Sequence, residues 1–196
     1  MEALYLACGA RRPQLKRESL GCCDEEESVS TRTHYLCGLL FEGRRLFFLW
    51  FSDDHDGLEQ ASSGTVLTFP TSDAALAYAR QRGLQVEPDP PALFDFDAIA
   101  RWCERPSPLT IRCDDFLNAW NLLGDLRPEA DSIFRAADRR GTPIYDKLFF
   151  GCNLPSITPK GEQYAPTWSD LEVQELARVL RLGLAEFRAR LAVAAA

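Results

Sequence analysis

The chain has 196 residues, 46% of them hydrophobic, and a net charge of −7 with a sequence pI near 4.9. That length suits one domain, able to bury roughly 70% of the surface its unfolded form exposes without a metal or a disulfide. The acidity argues against nucleic acid as a partner, because phosphate is held mainly by Lys and Arg, and the longest apolar run, Leu46 to Phe51, falls far short of the about 20 residues that cross a bilayer.

The N-terminus, Met-Glu-Ala-Leu-Tyr-Leu-Ala-Cys, lacks the basic start and apolar core of a signal peptide, so a cytoplasmic location is expected. Leu4 to Ala7 could form a short strand. Arg11, Arg12, Lys16 and Arg17 then precede the acidic run Asp24-Glu25-Glu26-Glu27; residues 1–28 otherwise read as mixed. From Val29 to Leu40 the chain is rich in Thr, Tyr and Leu. Glu42-Gly43-Arg44 reads as a turn into the apolar, aromatic run Leu46 to Phe51, the pattern of a β-hairpin. A polar loop, Ser52 to Gly64, leads to Thr65-Val66-Leu67-Thr68-Phe69, expected as a third strand of the same antiparallel sheet and ended by Pro70.

Thr71 or Ser72 can cap a helix over about Asp73 to Arg82, with Gly83 as its left-handed stop. Leu84-Gln85-Val86 could add an extended piece, and Pro88, Pro90 and Pro91 then impose a linker. Asp95 caps the next helix, with Phe94 and Ile99 at hydrophobic-staple spacing; Pro106 and Pro108 stop it near Glu104. Cys113 or Asp114 opens a helix through about Asp125, and another is predicted from Pro128 to Arg139. Tyr145 to Phe150 reads as a partly buried strand or turn feeding an irregular loop, Gly151 to Pro155. The last helix has a capping box, Ser169-Asp170-Leu171-Glu172. Its apolar stripe runs through Val173, Leu176, Ala177, Leu180, Leu184, Phe187 and Leu191. The expected fold is therefore α+β: an N-terminal antiparallel sheet of three to four strands packed with a helical C-terminal two-thirds. We expect a single domain over 1–196, with 1–87 and 94–196 as its sheet-rich and helical parts.

Chemistry-bearing constellations are sparse. Seven cysteines lie at positions 8, 22, 23, 37, 103, 113 and 152, an odd and scattered set that reads as buried hydrophobes in a reducing compartment rather than a disulfide framework. Cys22, Cys23, His34 and Cys37 have the right number of ligands for zinc but not the short Cys-x2–4-Cys knuckle. The two histidines, His34 and His55, leave few general bases for an activated Cys or Ser. No Walker A string and no Gly-x-Gly-x-x-Gly is present. Asp114-Asp115 and Asp95/Asp97 are explained as helix starts, where the dipole favours negative charge. Neither metal nor cofactor is expected. An enzyme would have to be a small hydrolase or transferase using a Cys or a carboxylate pair.

The unusual composition lies between Phe116 and Trp168, where Asn, Asp, Tyr and Lys are set among large apolar residues. On a helix from Asp114, Trp120 falls on the apolar face, while Asn118, Asn121 and Asp125 lie on a neighbouring one. Asn118, Asn121 and Asn153 are suitable tethers for the backbone of the irregular loop. The strings Asn118-Ala-Trp120-Asn121 with Asp125, Tyr145-Asp146-Lys147-Leu-Phe149 and Gly151-Cys-Asn153-Leu-Pro155 resemble those of small bacterial immunity proteins of contact-dependent growth inhibition and related polymorphic toxin systems. The similarity runs from about Thr68 to the helix after Trp168, about two-thirds of the chain. It implies a non-enzymatic cytoplasmic inhibitor that binds one cognate toxin domain and blocks its active site or substrate access; it fixes no contact residue.

Acidic clusters can steer a basic partner to a surface and speed its capture. The candidate toxin contacts are accordingly Asp53, Asp54, Asp56 and Glu59, then Asp24, Glu25, Glu26 and Glu27, with exposed aromatics as anchors. An acidic inhibitor of this kind would suit a basic nuclease. A non-enzymatic adaptor is the remaining alternative.

Overall fold

The computed structural model describes residues 32–52, 56–126 and 143–193. The expectations for Leu4 to Ala7, Asp24 to Glu27, Asp53 to His55 and the helix from Pro128 to Arg139 lie outside those residues. The hairpin is present: β1 (Thr33–Phe41) pairs antiparallel with β2 (Arg44–Ser52), with Phe41 opposite Arg44. Its two-residue turn places Glu42 at φ 53° and Gly43 at φ 70°, the two left-handed residues that match the twist of the strands. The Asp97 carboxylate accepts from both turn amides, Glu42 N at 2.7 Å and Gly43 N at 2.9 Å. β3 (Gly57–Leu58) extends the sheet beyond β2.

The sheet is mixed rather than antiparallel. Helix α1 (Ser72–Gln81) returns the chain across one face, so that β5 (Gln85–Val86) and β6 (Ala92–Asp95) both run parallel to β1 on its other edge. The three prolines fall between these two short pieces of ladder. They have no N–H to donate, so the strand is interrupted where a linker was expected and resumes at Ala92. The predicted third strand, β4 (Val66–Thr68), forms no ladder with the hairpin sheet and meets it at the isolated bridges Phe47–Phe69 and Gln60–Val66. Its ladder partner is β7 (Leu191–Val193), which is parallel to it and comes from the end of the chain. Local sequence contains no trace of that long-range pairing.

Helix α2 (Phe96–Glu104) is capped by Asp95, whose carboxylate accepts from Ala98 N at 2.8 Å. Helices α3 (Cys113–Gly124), α4 (Ile144–Gly151) and α5 (Asp170–Arg190) follow. α4 replaces the strand or turn expected at Tyr145 to Phe150. Ile144 and Leu148, one turn apart, are its fully buried residues, and Tyr145 stacks on Phe149 at the same spacing, with ring planes 9° apart. Helical period thus overrides the aromatic composition that suggested β structure. α5 begins with the expected capping box, both reciprocal bonds being present.

The hairpin carries helices on both faces. Leu36, Leu49, Ala75, Ala79 and Phe69 close one face under α1. Cys37, Leu39, Phe41, Phe48 and Trp50 face α2, α3 and α5 in one continuous apolar cluster that also holds Trp102, Trp120, Leu180 and Phe187. Among the described residues no helix is long and apolar enough to cross a membrane.

Candidate functional site

The polar residues of the Phe116–Trp168 run bind the scaffold together. Trp50 is 1% exposed, and its indole N–H donates to Asp125 Oδ2 at 3.1 Å, joining the sheet to the end of α3. Trp120 is buried one turn earlier, with its ring 6.3 Å from that of Tyr145. Lys147 Nζ donates to Thr167 O at 2.8 Å and to Glu172 Oε1 at 2.6 Å, and lies 5.6 Å from the centre of the Trp168 ring. One ammonium thereby ties α4 to the capping box of α5. Burial alone would raise the Glu172 carboxyl pKa; Lys147 and the Ser169 amide and hydroxyl outweigh it and hold that pKa below the usual range. Asn118 lines a shallow groove with Leu93, Asp95 and Asp115 between β6 and α3, and Asn121 is half-buried on the same helix.

Asn153 closes a loop. Its backbone is left-handed, at φ 50°, which asparagine tolerates better than most residues. Its Nδ2 donates to Gly151 O at 3.0 Å and to Tyr164 O at 2.9 Å, while Oδ1 accepts from Tyr164 N at 2.6 Å. The segment 153–164 is thus cinched at its base by one amide side chain, the tethering role expected for it. Gly151 allows the close approach beneath the loop: a Cβ there would stand 2.4 Å from Cys113 Sγ.

Beside this clamp the side chains turn outward. Phe150 is 50% exposed, Tyr164 43% and Ile157 40%. The Phe150 and Tyr164 rings meet edge to face, 6.3 Å apart. Contacts from Trp120 through Tyr145 and Phe149 to Phe150 connect this surface to the core. Asp146, exposed, precedes Phe150 by one helical turn and so shares its face of α4. Asp146 and Phe150 carry adjacent signals in sequence, but the helical spacing that joins them was hidden by the expected strand.

The acidic loop is only partly described. Asp56 is half-buried and accepts from Ser52 Oγ at 2.7 Å. Glu59 turns inward: its side chain is 16% exposed and its Oε1 lies 3.1 Å from Nε2 of His34, which is itself 2% exposed. The hydrogen bond with His34, aided by the charges of Arg32 and Arg82, holds the Glu59 carboxyl pKa below its usual range against the opposing effect of burial. Glu59 and Asp56 therefore brace the end of the hairpin, and Glu59 presents little of its charge to a partner. The His34 ring also packs edge-on against Phe51, and its Nδ1 has no partner among the described residues.

Nucleophilic chemistry finds little support in the thiols. Burial raises all four described cysteines, Cys103 to about 11 and Cys152 to about 12, with Cys37 and Cys113 shifted in the same direction. A reactive thiol requires the opposite shift. Within the described residues no group of three or more His, Cys, Asp or Glu is placed to hold a metal ion; of the zinc set considered above, His34 and Cys37 stand three residues apart on β1 and so face opposite sides of the sheet.

The class defined by these observations is structural: an α+β fold with a mixed sheet between helices, and an aromatic surface held by a clamped loop. No protein-family model, curated protein or solved structure matches the chain.

Proposed function

We propose that this chain is a toxin-neutralising immunity protein, a non-enzymatic binder of one cognate toxin domain whose active site or substrate access it blocks. The observation that carries this reading is the use made of the motif residues. Asp125 satisfies Trp50, Lys147 joins Thr167 and Glu172, and Asn153 clamps Tyr164. Each of these groups joins one segment to another, and together they support an exposed aromatic surface. Rigid aromatic anchors of that kind dominate protein–protein binding energy. The net charge of −7 suits a basic target such as a nuclease.

The test is a rescue. The coding region immediately upstream should specify a toxin domain whose expression arrests growth, and co-expression of this chain should restore it. Protection should survive Cys113→Ala, Cys152→Ala and His34→Gln made separately, provided each variant remains folded. Loss of protection in a folded Cys variant would instead favour the hydrolase or transferase reading.

A further inference from the structure

Cations in this protein repeatedly sit between an aromatic ring and a carboxylate. Arg188 lies 5.5 Å from the centre of the Phe41 ring and pairs with Glu42. Lys147 lies over Trp168 and pairs with Glu172. Arg32 lies 3.8 Å from the centre of the Phe51 ring, and its charge helps keep Glu59 ionised. Each arrangement combines attraction to a ring face with attraction to an anion.

The Phe150 face has the same components, without a cation among the described residues. Phe150 and Tyr164 offer half-exposed rings, and Asp146 supplies a carboxylate one turn away on the same helix face. No cation of the described residues pairs with Asp146 or lies over either ring. An apolar partner could cover the rings. It would also strip water from Asp146 without replacing it, and an uncompensated buried charge is strongly unfavourable. A planar guanidinium can stack on a ring while forming a forked pair with a carboxylate, which an ammonium cannot do. The clamp by Asn153 holds Tyr164 in place before any partner arrives, reducing the ordering cost of binding.

We infer that Asp146, Phe150 and Tyr164 form the seat for an arginine of a basic protein partner, which under the function proposed above is the cognate toxin domain. This surface, rather than Glu59, then anchors the complex, and the acidic loop contributes steering.

The seat can be tested without the toxin. The full-length chain, labelled with ¹⁵N, would be titrated with hexa-arginine and with hexa-lysine at physiological salt. Saturable shifts centred on residues 146, 150, 153 and 164, stronger with arginine, are expected. They should vanish in Asp146→Asn and in Phe150→Ala while persisting in Leu171→Ala, an exposed leucine on α5. Shifts spread over the acidic surface generally, or no shifts, would overturn the inference. With the neighbouring toxin domain, Asp146→Lys and Phe150→Ala should each weaken binding by at least about tenfold. Undiminished binding by both would remove this seat from the interface and leave the immunity reading standing. A neighbouring domain that does not bind the wild-type chain would remove that reading, while the peptide titration still decides the seat.

Discussion

Single side chains carry the junctions of this fold. Asn153 makes three hydrogen bonds from a left-handed backbone. Asn153→Ala is expected to lower stability by about 2 kcal/mol, through lost bonds and a conformation alanine resists. Urea denaturation would measure this loss, and limited proteolysis should show faster cleavage within 154–163. Asp125→Ala leaves the buried Trp50 N–H unpaired, with a cost of about 1–3 kcal/mol. Glu172 and Glu59 give the protein an acid limb. Both carboxyls have folded pKa values below the ordinary glutamate value of 4.5. Their stabilising contribution is therefore complete above that value and is lost as pH falls through the folded values. Glu172→Gln should reduce stability at neutral pH and flatten its decline below about pH 4.5, seen in melting temperatures across pH. An equally steep acid limb in the variant would contradict this assignment.

At the scale of elements, the parts governed by neighbouring residues were legible and the parts governed by distant ones were not. Thr71, Asp95 and Ser169 announce α1, α2 and α5 because a capping side chain bonds an amide three residues on. The Glu42–Gly43 turn announces the hairpin for a similarly local reason. β6 was concealed by prolines that end one ladder segment before another begins, and β7 has a partner more than 120 residues earlier in the chain. Tyr145 to Phe150 misled because aromatic content resembles a strand, whereas the spacing of Ile144 and Leu148 is helical. The packing of α4 on α3 also yields a sharp test. Gly151→Ala would place a Cβ 2.4 Å from Cys113 Sγ and 3.2 Å from Pro166 Cγ. It should destabilise by about 1–3 kcal/mol, and Cys113→Ala in the same chain should restore part of the loss. Additive losses in the double variant would place the strain elsewhere.

For the molecule as a whole, the sequence singled out an unusual run from Phe116 to Trp168 and an acidic loop, and the structure uses their residues differently. Within the dense polar-aromatic run Asp125 and Lys147 are scaffold, engaged by partners far away in the chain, and Asn153 clamps Tyr164, 11 residues on. Acidity alone pointed to Asp56 and Glu59. Their engagement with Ser52 and His34 depends on the hairpin and the returning loop, which no local motif reports. The pairing of Asp146 with Phe150 needed the correct helix. The proposed immunity function is tested most directly by titrating the purified neighbouring toxin domain with this chain, following toxin activity and complex mass together. A stoichiometric, saturating complex that abolishes activity, with Asp146→Lys shifting the titration to higher concentrations, is the expected result. Full toxin activity in the presence of excess wild-type chain, with no complex formed, would contradict it.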